Sequence, residues 1–109
     1  MEQLPPAAFL ILFALASGEK HGYAIMQEAR KLSDNTLQIG PATLYTTIQR
    51  LLDSDRIHEV PGPKDGDSRR RYYRLTNAGK GALHAELARM EALVKKSKGL
   101  RLRPVESSS

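Results

Sequence analysis

A mainly α (α+β) architecture is predicted for this 109-residue chain by three observations. An unbroken apolar run over residues 7–16 is longer than a typical strand and shorter than a membrane span. Apolar residues recur at helical spacing in two later stretches, Leu44, Ile48, Leu51 and Leu52, then Leu83, Leu87, Met90 and Val94. Between those stretches, two short strand candidates flank a loop rich in Pro, Gly and Asp over residues 61–68.

The elements are justified in order. Pro5 and Pro6 suit the opening of the first helix, whose residues 7–16 are apolar on every face. Such a helix must be covered on more than one side, and in a chain this small the expected cover includes a partner subunit. Gly18 ends it. A second helix over 22–32 has a narrow stripe of Ala24, Ile25, Glu28, Ala29 and Leu32, and Ser33-Asp34-Asn35 turns the chain. Leu37 and Ile39 then alternate with polar residues in a short extended piece closed by Gly40-Pro41.

A third helix over 41–54 turns Leu44, Ile48, Leu51 and Leu52 inward. Its other face holds Thr43, Thr46, Thr47, Gln49 and Arg50, short hydrogen-bonding groups with little charge. Strands are expected over 57–60 and 71–75, the second with Tyr73 and Leu75 on one face and Tyr72 and Arg74 on the other. Thr76 is the expected N-cap of a last helix over 77–98, on the order of 33 Å long. Leu83, Leu87, Met90 and Val94 form a coiled-coil-like seam on it, and Gly99 stops it.

Composition narrows the function. The length suits one domain, and 40% hydrophobic residues suffice for a folded core. No cysteine is present, which removes disulfides, thiolate metal sites and thiol nucleophiles. His21, His58 and His84 are scattered without a paired carboxylate at metal-ligand spacing, so no enzyme, metal or cofactor is expected. The net charge of +5 is uneven: residues 1–54 carry four basic and five acidic side chains, residues 55–109 thirteen and seven. That asymmetry points to a polyanionic partner, double-stranded DNA before an anionic membrane. A soluble, cytoplasmic chain is expected, because the apolar run spans half a bilayer and lacks a basic flank.

Three helices followed by a hairpin is the order of a winged helix-turn-helix, here with a two-stranded wing and a long C-terminal dimerisation helix. The expected organisation is a DNA-binding unit over 1–76, the dimerisation helix over 77–98 and a disordered tail over 99–109. In that arrangement the third helix enters a major groove, where threonine, glutamine and arginine reach base edges. Lys64, Arg69, Arg70 and Arg71 on the wing reach phosphates. Arg71 also suits an ordinary strand surface, since alternation turns it from the loop tip.

Three segments resemble the PadR-like transcriptional regulators: His21-Gly22-Tyr23-Ala24-Ile25, Gly40-Pro41-Ala42-Thr43-Leu44-Tyr45 with Arg50-Leu51, and the run from Arg69 to Gly79. The resemblance extends over residues 4–98 and is to the short subgroup with one helix after the wing. It implies a homodimeric DNA-binding repressor acting on a pseudo-palindromic operator. It places Tyr23 and Tyr45 near the DNA backbone and makes the helix from Pro41 the recognition helix. Thr46 and Thr47 then read sequence, flanked by Thr43 and Arg50.

Phe9 and Leu12 of the first helix, with Leu83, Leu87, Met90 and Val94 of the last, are the expected dimer interface. A small aromatic effector between Ala8, Leu12 and Leu15 and Leu87, Met90 and Val94 stays open beside a closed seam. A winged-helix module that binds protein rather than specific DNA is the alternative, separated by a gel shift on the chain's own upstream DNA.

Overall fold

Among the described residues, seven elements follow one another: α1 (Pro6–Leu15), β1 (Lys20–His21), α2 (Gly22–Leu32), α3 (Pro41–Asp53), β2 (Ile57–Val60), β3 (Tyr72–Leu75) and α4 (Asn77–Ser97). They are seen in a computed structural model that describes residues 3–64, 66 and 69–100. From residue 101 onward the expected tail lies outside the described residues.

α1 is the axis of the core. Ile11, Leu12 and Ala14 are fully buried and Leu15 is 2% exposed, because α2, α3, α4 and β3 all pack around this one helix. Its own chain therefore covers most of its all-round apolar surface, more than the expectation of cover shared with a partner required. Phe9 and Phe13 are its large half-buried residues, set edge to face with ring centroids 5.8 Å apart.

The sheet is also larger than expected. β1 joins the two wing strands, giving the antiparallel order β1-β3-β2. Lys20 lies opposite Tyr73 and His21 opposite Tyr72, so the wing is pinned to the start of α2. Two residues are too few for any visible alternation, which is why the sequence did not reveal this strand. In β2 and β3, Ile57 faces Leu75 across the ladder, and Ile57, Tyr73 and Leu75 are buried. The extended piece around Leu37 and Ile39 forms no strand. Ile39 instead plugs the core at 1% exposure, and its carbonyl accepts from Arg30 Nη2 at 3.3 Å.

α4 starts where Thr76 Oγ1 accepts from the Gly79 amide at 3.0 Å and donates to the Asp55 carbonyl at 2.6 Å. Its 21 residues make it about 32 Å long. Gly79, Leu83 and Glu86 are buried against the body, whereas Leu93 and Val94 are 52% and 56% exposed. Glu86 is a buried carboxylate that accepts from the Leu4 amide at 3.1 Å and pairs with Arg89. Those bonds, the Leu4 amide first, outweigh burial and hold its pKa below the ordinary value. The α1 entrance is thus tied to the middle of α4.

Candidate nucleic-acid interface

α3 opens with Gly40 as N-cap and Pro41 in the first turn, where proline's fixed φ suits a helix and its missing N–H costs nothing. Leu44, Ile48 and Leu51 are at most 2% exposed, which fixes the opposite face outward. There Thr43, Tyr45, Thr46, Gln49 and Arg50 are exposed. Thr47 differs: it is half-buried, and its hydroxyl donates to the Thr43 carbonyl at 2.7 Å. Gln49 donates to Asp53 at 2.9 Å. A depression of about 230 Å³ on this face is lined by Ala42, Thr43, Thr46, Thr47 and Arg50.

Tyr45 joins that face to a second feature. A cleft of about 300 Å³ is lined by His21, Gly22, Tyr23, Tyr45, Arg69, Arg70, Arg71 and Tyr73. Tyr23 and Tyr45 stand 58% and 56% exposed at its mouth. Tyr45 leans over Gly22 so closely that a Cβ there would lie 2.9 Å from the phenol oxygen. Three phenols, three guanidiniums and no carboxylate line the cleft, a chemistry suited to phosphate oxygens. Arg71 also lies 3.8 Å from Glu59 in an exposed pair, which is worth little. Burial, then Glu59, pushes the Tyr73 phenol up, so it keeps its proton. Lys64 is exposed on the wing loop, outside both features.

The resemblance assigned no role to His21, although His21-Gly22-Tyr23 was visible as a motif. Its Nδ1 accepts from the Ala24 amide at 3.3 Å and caps α2. The neutral ring therefore carries its proton on Nε2, which faces Arg70 Nη1 at 3.3 Å.

Burial, then Arg70, lowers the His21 pKa from its usual 6.5. The folded ring binds its proton less tightly than the unfolded one, so the contribution is full above the unfolded value and lost as pH falls through the folded value. His21→Ala is expected to cost roughly 0.5–1 kcal/mol at about pH 8, the worth of a cap, with the deficit shrinking on acidification. Melting curves of both proteins between about pH 8 and pH 5 check this; a constant gap would remove the role of the cap.

Of the residues expected at a dimer interface, Leu12 (0% exposed) and Leu83 (6%) lie in the core of the single chain. They are covered by its own helices and strands, which corrects their assignment to a partner-facing surface. Phe9, Leu87 and Met90 are half-buried and Val94 is exposed. The expected effector walls Ala8, Leu12 and Leu15 are likewise turned into the chain's own core.

Among the described residues, no group of three His, Cys, Asp or Glu side chains could hold a metal ion. None of their helices is long and apolar enough to cross a membrane.

This arrangement is shared with known proteins. The model of the transcriptional regulator PadR-like family matches residues 11–85. The transcriptional regulator Rv3488 of Mycobacterium tuberculosis is 35% identical over 89 residues, spanning 82% of this chain and 79% of that protein. A solved transcriptional regulator from Clostridium thermocellum has a TM-score of 0.70 at 28% identity, covering 87% of this chain and 90% of its own. Bacillus subtilis PadR in complex with operator DNA has a TM-score of 0.64 at 22% identity, covering 94% of this chain and 51% of that one. With three helices, an arginine-bearing wing and a family match that runs from inside α1 into α4, this chain belongs to the PadR-like family of transcriptional regulators.

Proposed function

We propose that the chain is a sequence-specific double-stranded DNA-binding repressor that acts as a homodimer on a pseudo-palindromic operator. The observation that carries this reading is the continuity of two surfaces at Tyr45. On one side lies the uncharged, hydroxyl-rich start of α3; on the other lies the cleft with Tyr23, Arg69, Arg70 and Arg71. A helix face that reads base edges needs neighbouring groups that hold the phosphates and set its register. The operator complex of the Bacillus subtilis relative supports carrying DNA binding to this chain. Lys64 adds charge at the wing edge. Of the expected interface residues, Phe9, Leu87, Met90 and Val94 are left for a second copy, with Leu93 beside them. That copy would set two recognition helices about one or two helical turns apart.

Thr43, Thr46, Thr47 and Arg50 divide the labour. Thr46 is exposed, whereas the Thr47 hydroxyl is already committed to the Thr43 carbonyl, so Thr46 is the stronger reader. In gel shifts on the upstream DNA, Arg70→Ala is expected to weaken all sequences alike and to lower the salt slope by about one per subunit. Thr46→Ala instead changes the ranking of operator variants, by about tenfold at one base position. If both variants acted uniformly, the split between positioning and reading residues would be wrong. Absence of any preference for the upstream DNA would favour the protein-binding alternative.

A further inference from the structure

A second cavity lies between the first turn of α1 and the C-terminal half of α3, with a volume of about 230 Å³. Pro5, Ala8 and Leu51 make its apolar wall, Thr47 and Ser54 bring hydroxyls, and Arg50 and Arg56 bring two guanidiniums. No carboxylate and no aromatic ring lines it. Among the described residues, neither guanidinium makes a hydrogen bond or an ion pair. Arg50 is exposed and Arg56 half-buried, and Arg56 also borders a neighbouring cavity lined by Glu86 and Arg89. The lining of the cavity thus carries two positive charges and no negative one.

We propose that this cavity binds a short aliphatic carboxylate, its apolar body against Pro5, Ala8 and Leu51 and its carboxylate between Arg50 and Arg56. Size supports the class: 230 Å³ is the liquid volume of roughly eight waters, too little for a nucleotide or a fused ring system. The wall supports it too, because its apolar part is aliphatic, Pro5, Ala8 and Leu51, with no aromatic ring. Guanidinium forks suit a carboxylate, which can accept two parallel bonds.

Thr47 and Arg50 also line the outward depression of α3. A bound carboxylate would hold the Arg50 charge away from a phosphate, so ligand and DNA oppose each other, and by linkage each weakens the other equally. This coupling rests on the proposed DNA-binding function; the carboxylate site itself does not.

The test is an amide NMR titration of the free protein with isovalerate, its neutral amide isovaleramide, and inorganic phosphate. Saturable shifts at Ala8, Leu51 and Ser54 are expected with isovalerate, at an affinity on the order of millimolar for so small a ligand. Isovaleramide is expected to give none. Arg56→Gln is expected to weaken isovalerate by at least about tenfold, the loss of one charged hydrogen-bond partner. Ser54→Glu, which places a carboxylate at the exposed rim of the cavity, is expected to block isovalerate with the helical signal intact. No shifts, equal binding of isovaleramide, or an unchanged Arg56→Gln would overturn the proposal. So would phosphate producing the same shifts with equal affinity, since that marks a general anion seat. Operator binding is measured in parallel with saturating isovalerate; loss of DNA affinity in wild type but not in Ser54→Glu supports the coupling. Unchanged DNA affinity in the liganded wild type overturns it. A protein that takes isovalerate but no DNA would refute the proposed function and leave the carboxylate site standing.

Discussion

Gly79→Ala is expected to destabilise the protein by at least about 3 kcal/mol, a severe loss for one methyl group. A Cβ built at Gly79 would lie 1.9 Å from the Arg56 carbonyl oxygen and 2.9 Å from its carbon. Both are backbone atoms and have no rotamer to escape into. The same carbonyl accepts from the Thr76 amide at 3.1 Å, and Thr76 Oγ1 holds the neighbouring Asp55 carbonyl. Relieving the clash therefore pulls the start of α4 off the α3–β2 turn and breaks the bonds that seat it. Gly81 is the control. It lies two residues further along the same helix with nothing within 4 Å of its built Cβ. Gly81→Ala is expected to stabilise by roughly 0.5–1 kcal/mol, because alanine costs a helix less entropy than glycine. Urea denaturation of the two variants should move the midpoint in opposite directions. Equal and small shifts would mean that α4 does not dock on the Arg56 carbonyl as described.

Val94→Asp is expected to convert the proposed dimer to a monomer and to lower operator affinity by about 10²–10⁴-fold. Val94 and Leu93 are large apolar groups left exposed on α4, in continuity with half-buried Met90 and Leu87. A dimer binds two half-sites with one entropic cost of association, so losing the second recognition helix removes the gain in effective concentration. A carboxylate in an apolar interface would lose its water without gaining a partner. At an exposed position the subunit itself should keep its helical signal and change by less than about 0.5 kcal/mol. Light scattering behind a sizing column reads the mass of the wild type, expected at twice 12.1 kDa. A wild-type monomer at micromolar concentration, or a variant that binds the operator as tightly as wild type, would refute the dimer reading.

Much of the fold was legible in one sequence because its signals are local. Helical periodicity, the prolines that open α1 and α3, Thr76 as a cap and the Pro/Gly-rich wing loop all act within a few residues, and α2 and β2 fall where their patterns place them. The order of the elements then implied the winged arrangement. The motifs around Tyr23, Tyr45 and Arg69–Arg71 named the residues that meet in the cleft, because each motif is short and contiguous.

What only the tertiary structure decided depends on contacts between segments far apart in sequence. Two strand residues at Lys20–His21 leave no periodic trace, yet pairing with β3 makes them the link that pins the wing to α2. An apolar helix looks the same whether its cover comes from its own chain or from a partner. The packing of α2, α3, α4 and β3 around α1 is what puts Leu12 and Leu83 in the core. Gly79 reads as a flexible residue in a helix start until the Arg56 carbonyl appears against it. By itself the sequence determined which residues are apolar, which can cap and which carry charge, since those are properties of single side chains and near neighbours. Which apolar face stays open, which hydroxyl is already bonded and which arginine lacks a partner are properties of pairs brought together by folding, and only the structure holds them.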